Sequence, residues 1–201
     1  MQTKYPLSKY EEMYKGFDAG HNQKHMESVR TFAVKLAEKY CPEKIEIAYV
    51  AATLHDIGLS VSREGHELEG YKILKEDEEL KEIYGEEDFK EILEAVKEHR
   101  ASTGNPQTTI SKIVSDADKV SDTTESSFQR AYDYGLEKYP ELNHEEQIIR
   151  AAEHLSEKFG GNGTGTRVYF EESRLRLEEI FKPIIEANIN KDYQELEKLL
   201  N

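Results

Sequence analysis

The sequence predicts an all-α protein, and three observations carry that expectation. Apolar residues recur at steps of three and four rather than two. Glycines and prolines are sparse, 12 and 5 in 201 residues, and they punctuate helical patterns rather than strand-like ones. A composition of 34% charged and 37% hydrophobic residues suits helices with charged outer faces around a core. The length suffices for one sizeable domain. No repeat or low-complexity linker divides the chain. Residues 1–201 therefore read as a single domain, with a motif-bearing core over about 20–125 and the helices of about 126–201 packed on it.

Leu7, Tyr10, Met13, Tyr14 and Phe17 predict a short amphipathic first helix. His25, Val29, Phe32, Ala33, Leu36, Ala37 and Tyr40 then share one helix face. Pro42 starts a third helix, in which Ile45, Ala48, Ala52 and Leu54 lead into His55-Asp56, with Gly58 as its stop. Further helices fit residues 66–75, 86–99, 107–135, 144–159 and 167–188, with a tail helix after Asp192. The glycine-rich stretch 160–165 is a loop that could approach a ligand closely; with no strand before it, it is not a dinucleotide fingerprint.

Charge and composition narrow the partners. Lys+Arg 27 against Asp+Glu 41 gives 27 − 41 = −14, so long nucleic acids should be repelled. Small phosphate substrates are not excluded, because divalent cations can reverse the field inside a cleft. No apolar run is long enough for a membrane span and residues 1–17 lack the apolar core of a signal peptide, so no membrane partner and a cytoplasmic location are expected. The single Cys41 offers neither a disulfide nor a CxxC pair. The oligomeric state is left open.

Five of the seven histidines, His25, His55, His66, His99 and His154, fall where a helix face or end could point inward. His55-Asp56 closes the apolar run AYVAATLHDIG, and a buried charged Asp is costly unless paired or metal-bound. Neighbouring helix residues diverge by roughly 100°, so a second helix must complete any ion site. His25 is a natural donor, and Asp118, in KIVSDADKVSD, is a second carboxylate within an apolar helical pattern. Imidazole and carboxylate donors suit a divalent ion such as Mn, Fe, Co, Ni, Zn or Mg.

In that order, His25, His55-Asp56 and Asp118 resemble the H…HD…D signature of the HD superfamily. HMESVRTFAVKLA, ATLHDIG and VSDADKVSD are similar to the contexts of its motifs, and the likeness runs over about residues 20–185. GHNQKHMESV further resembles a subgroup whose first motif reads HDxxHxxRV, which includes stand-alone nucleotide phosphohydrolases and pyrophosphohydrolases. Asn22 stands where that subgroup usually has Asp, and Lys119 where it usually has Arg. The resemblance implies a single-domain HD-type helical bundle with a metal site between its core helices. It implies that His25, His55, Asp56 and Asp118 hold a divalent ion, and that Asp56 with His55 couples the ion to the attacking water. GHELEGYKIL and VKEHRAST resemble segments that place His66 and His99 near a second ion, with Asp56 as a bridge; paired ions can clamp both oxygens of a phosphate displacement.

The implied function is metal-dependent hydrolysis of a small phosphorylated substrate, foremost a nucleotide. A di-iron oxygenase of the HD type and a non-catalytic nucleotide-sensing module are the alternatives. Lys119, Arg100 and Lys24 adjoin proposed ligands, and Arg167 follows the glycine loop. Each could hold a phosphate oxygen, against an ordinary surface ion pair. His21 and His154 are expected in structural roles, His154 packed between helices, and His144 at a helix start. Asp116 and Asp122 could orient neighbours of the site.

Overall fold

The computed structural model describes residues 2–200. Among them are ten α-helices and no strand, as the periodicity predicts. They are α1 (Ser8–Met13), α2 (Gln23–Tyr40), α3 (Ile45–Leu54), α4 (His66–Lys75), α5 (Glu78–Glu98), α6 (Thr109–Val120), α7 (Thr124–Lys138), α8 (His144–Phe159), α9 (Glu171–Asn190) and α10 (Tyr193–Glu197). No helix is long and apolar enough to cross a membrane. The chain forms two compact units, one made of the chain up to Phe17 with His21–Ser121, the other of Asp18–Gly20 with the chain from Asp122 onward.

In the first unit α3 is the centre. Ile47, Ala48, Val50, Ala51, Ala52, Thr53 and Leu54 are all buried, the pattern of a helix enclosed on every side. It packs against α2, α5 and α6, and α4 lies against α5. The small alanines let neighbouring helices approach closely, which brings side chains from several helix ends to one place. In the second unit α7, α8 and α9 pack on one another and α10 lies against α8 and α9. Phe159 and Phe181 stack there at 3.6 Å between ring centroids.

Helix ends follow capping chemistry. Asn22 accepts from the His25 N–H at the start of α2, so the Asn at that position does the work of an N-cap. Thr108 with Ser111, and Asn143 with Glu146, form reciprocal capping boxes. Thr123, in extended backbone, accepts from the Ser126 N–H and starts α7. That cap splits the single helix expected over 107–135 into α6 and α7, because an N-capping side chain holds its own residue out of the helix. Three other expectations shift. α5 begins at Glu78 and changes direction at Gly85, whose φ of 74° a side chain would disfavour. α9 begins at Glu171, after a 3-10 turn at Thr164–Thr166 and the extended Phe170. His154 is exposed on α8 rather than packed between helices.

The segment before α2 is tied down by an acidic anchor. Asp77 caps α5 through the Leu80 N–H, and its Oδ2 accepts from the hydroxyls of Tyr5 and Tyr10, both at 2.6 Å, and from Lys9 Nζ at 3.0 Å. Burial alone would raise its pKa, but the bonds from Tyr10, Tyr5, the Leu80 amide and Lys9 outweigh it and hold the carboxyl at about 2. A depressed carboxyl stabilises the fold above its unfolded pKa, and that stabilisation is lost as pH falls through the folded value. The shift from 3.8 to about 2 corresponds to about 2 kcal/mol. Asp77→Asn is therefore expected to lower the unfolding free energy near neutral pH by about that amount. The gap to the wild type should close between about pH 4 and about pH 2. Urea titrations across that range check it, and a gap that does not change with pH would contradict it.

Candidate metal centre

Six donor side chains come together at the ends of α2, α3, α4, α5 and α6. His25, His55 and Asp118 place one donor atom each within 4.8 Å of one another, and Asp56, His66 and His99 do the same. All but Asp118 are buried. The Asp118 side chain is 21% exposed against 2% for Asp56, so solvent reaches the centre on the Asp118 side.

Each residue is delivered by its element. His25 lies in the first turn of α2. His55 and Asp56 follow the last residue of α3, where the backbone leaves the helix and enters a 3-10 turn, Ile57–Ser60. His66 opens α4, His99 is the C-cap of α5, and Asp118 lies near the end of α6. Gly58, expected as the stop of α3, is instead inside the 3-10 turn. A Cβ there would lie 1.9 Å from the His66 carbonyl oxygen and 2.4 Å from the Gly70 amide nitrogen. Its role is close approach: it lets α4 press onto the turn that follows the HD doublet.

Three imidazoles are oriented by the same device. His55 Nδ1 lies 2.7 Å from the Ala52 carbonyl, His66 Nδ1 3.0 Å from the Arg63 carbonyl, and His99 Nδ1 2.7 Å from the Val96 carbonyl. A carbonyl only accepts, so Nδ1 carries the proton in each and Nε2 is left as the inward donor atom. Backbone partners on the outer nitrogen are characteristic of metal-binding histidines.

The inward atoms are crowded in a way that calls for a cation. His66 Nε2 and His99 Nε2 are 3.1 Å apart, two lone pairs facing each other once both protons are on Nδ1. Asp56 Oδ1 is 3.2 Å from His66 Nε2 and 3.5 Å from His99 Nε2. Its other oxygen, Oδ2, faces His55 Nε2 at 3.1 Å, and both atoms are buried without hydrogen-bond geometry. Asp118 Oδ1 lies 3.1 Å from His25 Nε2 and 3.8 Å from the same His55 Nε2. Asp56 thus turns one oxygen to each group. This donor set fits divalent ions of the borderline or hard kind.

The electrostatics agree. Burial would raise Asp56 and Asp118, but the surrounding imidazoles outweigh it and hold both carboxyls well below the usual range. Burial would lower His55, but Asp56, Asp118 and the Ala52 carbonyl raise it to about 9. His66 is raised as well, burial being outweighed by Asp56 and the Arg63 carbonyl. A metal ion would take the place of the protons these nitrogens otherwise hold.

The expected phosphate contacts are scattered. Lys119 is buried and donates to Ser115 Oγ at 2.9 Å, with Asp116 Oδ1 3.9 Å away. Arg100 reaches Glu67 at 3.4 Å. Lys24 and Arg167 are exposed, Arg167 in the second unit. His21 lies before α2; its ring is 6.3 Å from those of both His25 and His66, with Arg63 Nη1 3.1 Å from its Nδ1. In the second unit His144 opens α8, against Tyr132 and Glu197, and Asp122 pairs with Arg130.

Two residues escaped the sequence reading. Glu67 is buried beside His66 and accepts from Thr103 and Arg100, tying the start of α4 to the segment after His99. As a first-turn acid it reads in sequence as an ordinary dipole partner. Tyr14 is buried beneath His55-Asp56, and its apolar spacing gives no hint of a polar partner.

No curated protein and no solved structure matches the chain. The family model described as HD domain matches residues 23–123, a span that contains all six of these donors. The chain belongs to the HD domain family.

Proposed function

We propose that the protein is a metal-dependent phosphohydrolase acting on a small phosphorylated substrate, foremost a nucleotide, and that its centre holds two divalent ions. The observation that carries the reading is Asp56, whose two carboxylate oxygens face two separate donor groups. His25, His55 and Asp118 would hold one ion, and His66 and His99 the other, with Asp56 between them. Divalent ions there supply Lewis acidity toward phosphoryl oxygens and activate water for attack. The chain's own part is to fix the donors, through backbone carbonyls behind three histidines, and to keep Asp56 and Asp118 ionised. Either carboxylate can then accept a hydrogen bond or proton from the attacking water. The open side at Asp118 supports entry of a phosphate tail. Lys24, Arg100 and Lys119 stay proposed contacts for that tail.

Substrate size follows from charge. A surface field of net −14 opposes a long polyanion, whereas a nucleotide brings only its phosphates to the cationic centre. The resemblance to the HDxxHxxRV subgroup points the same way. Protein loaded with Mn, Co, Ni or Mg is to be screened against nucleoside mono- and triphosphates, reading both phosphate and pyrophosphate. Metal-dependent cleavage of at least one nucleotide, with little or none of duplex DNA, is expected. Cleavage of another phosphoester class with no nucleotide cleaved would overturn the substrate assignment. Iron absorption with oxidation and no hydrolysis would overturn the reaction class.

A further inference from the structure

The HD doublet stands where α3 stops, and the end of a helix leaves carbonyls without intrahelical donors. Here those groups are buried, so each needs another partner. The Ala52 carbonyl accepts from His55 Nδ1. The Thr53 carbonyl accepts from the Tyr14 hydroxyl at 2.8 Å, and the Asp56 N–H donates to the same hydroxyl oxygen at 3.2 Å. One hydroxyl therefore spans the break, donating on one side and accepting on the other. Asp56 has φ −102° and ψ 4°, outside the helical well. In that conformation its carboxylate lies between the two donor groups.

Tyr14 is well held for this task. It is 1% exposed, and its ring meets Phe17 edge-on at 5.1 Å between centroids. The segment carrying it is fastened at a distance, by Tyr5, Lys9 and Tyr10 on Asp77 and by Glu11 on Arg30. The family match begins at residue 23, so this segment lies before it.

We propose that Tyr14 is a positioning residue for Asp56, and that its hydroxyl, supplied from before the family match, sets the ion affinity of the centre. The proposal rests on the reading of Asp56 as a shared ligand, and its test reads metal binding rather than hydrolysis. Mn(II) is titrated calorimetrically into the wild type, Tyr14→Phe and Tyr10→Phe, at a temperature where all three keep the wild-type helical signal. Tyr14→Phe should bind about 10-fold more weakly in every binding step, the scale of losing a partner behind a metal ligand. Tyr10→Phe, which loses a comparable hydroxyl to Asp77, should bind as the wild type does. A merely structural role would lower the melting temperature without moving the affinity. Wild-type affinity in Tyr14→Phe, or an equal loss in Tyr10→Phe, overturns the proposal. A wild type that binds no Mn(II) overturns it together with the metal centre. A wild type that binds Mn(II) and hydrolyses nothing overturns only the activity.

Discussion

Asp56→Ala should leave a helical protein that holds neither ion and hydrolyses nothing. The carboxylate turns an oxygen to both groups, with Oδ2 at 3.1 Å from His55 and Oδ1 at 3.2 and 3.5 Å from His66 and His99. Removing it leaves two imidazole lone pairs 3.1 Å apart without the carboxylate oxygen that faces both, an arrangement that opens rather than closes on a cation. Loss of a partner behind a ligand already costs 10–100-fold in affinity, so loss of the shared ligand should exceed about 100-fold. The fold should survive, because α3 is held by Ile47, Val50 and Leu54, and burying a carboxylate is itself unfavourable. His99→Ala makes the contrast: its donor atom groups with Asp56 and His66 alone, so about one of the two proposed ions should be lost. Circular dichroism, metal content and turnover on the same samples check all three statements. Full turnover with unchanged metal content in Asp56→Ala would sink the assignment of Asp56.

The sequence marks the candidate donors and hides what holds them in place. His25, His55, Asp56 and Asp118 stood out because charged or imidazole side chains interrupt apolar helical runs, an expensive placement that asks for a reason. His66 and His99, at a helix start and a helix end, are marked instead by the resemblance of GHELEGYKIL and VKEHRAST to family segments. Tyr14 and Glu67 are not, since their partners lie 39 and 36 residues away in the chain and neither breaks a local rule. The helices with periodic apolar faces over residues 66–75 and 144–159 fall where the pattern puts them, the second with a capping box of Asn143 and Glu146. The join between α6 and α7 was hidden because apolar spacing continues across it. Only the capping ability of Thr123 marks the break, and a threonine inside a helix looks the same on paper.

Gly58→Ala should be the most damaging single methyl in the first unit. Its Cβ would meet the His66 carbonyl oxygen at 1.9 Å, the His66 carbonyl carbon at 2.8 Å and the Gly70 amide nitrogen at 2.4 Å. These are backbone atoms, so no side-chain rotation relieves the clash. Gly70 marks how close the approach is, since a Cβ there would itself lie 3.0 Å from Val96 on α5. α4 must therefore move away from the turn or the turn must break. Overpacking of this kind costs typically 1–3 kcal/mol and occasionally more, and a rigid backbone contact puts the expected loss near the top, at about 3 kcal/mol. The movement also carries His66 away from Asp56, while His25, His55 and Asp118 lie on α2, α6 and the end of α3. The folded fraction of Gly58→Ala should thus keep one ion and lose the other. Urea denaturation and metal content of the folded protein measure the two effects separately. Wild-type stability with two ions retained would show that α4 does not depend on the glycine at this position.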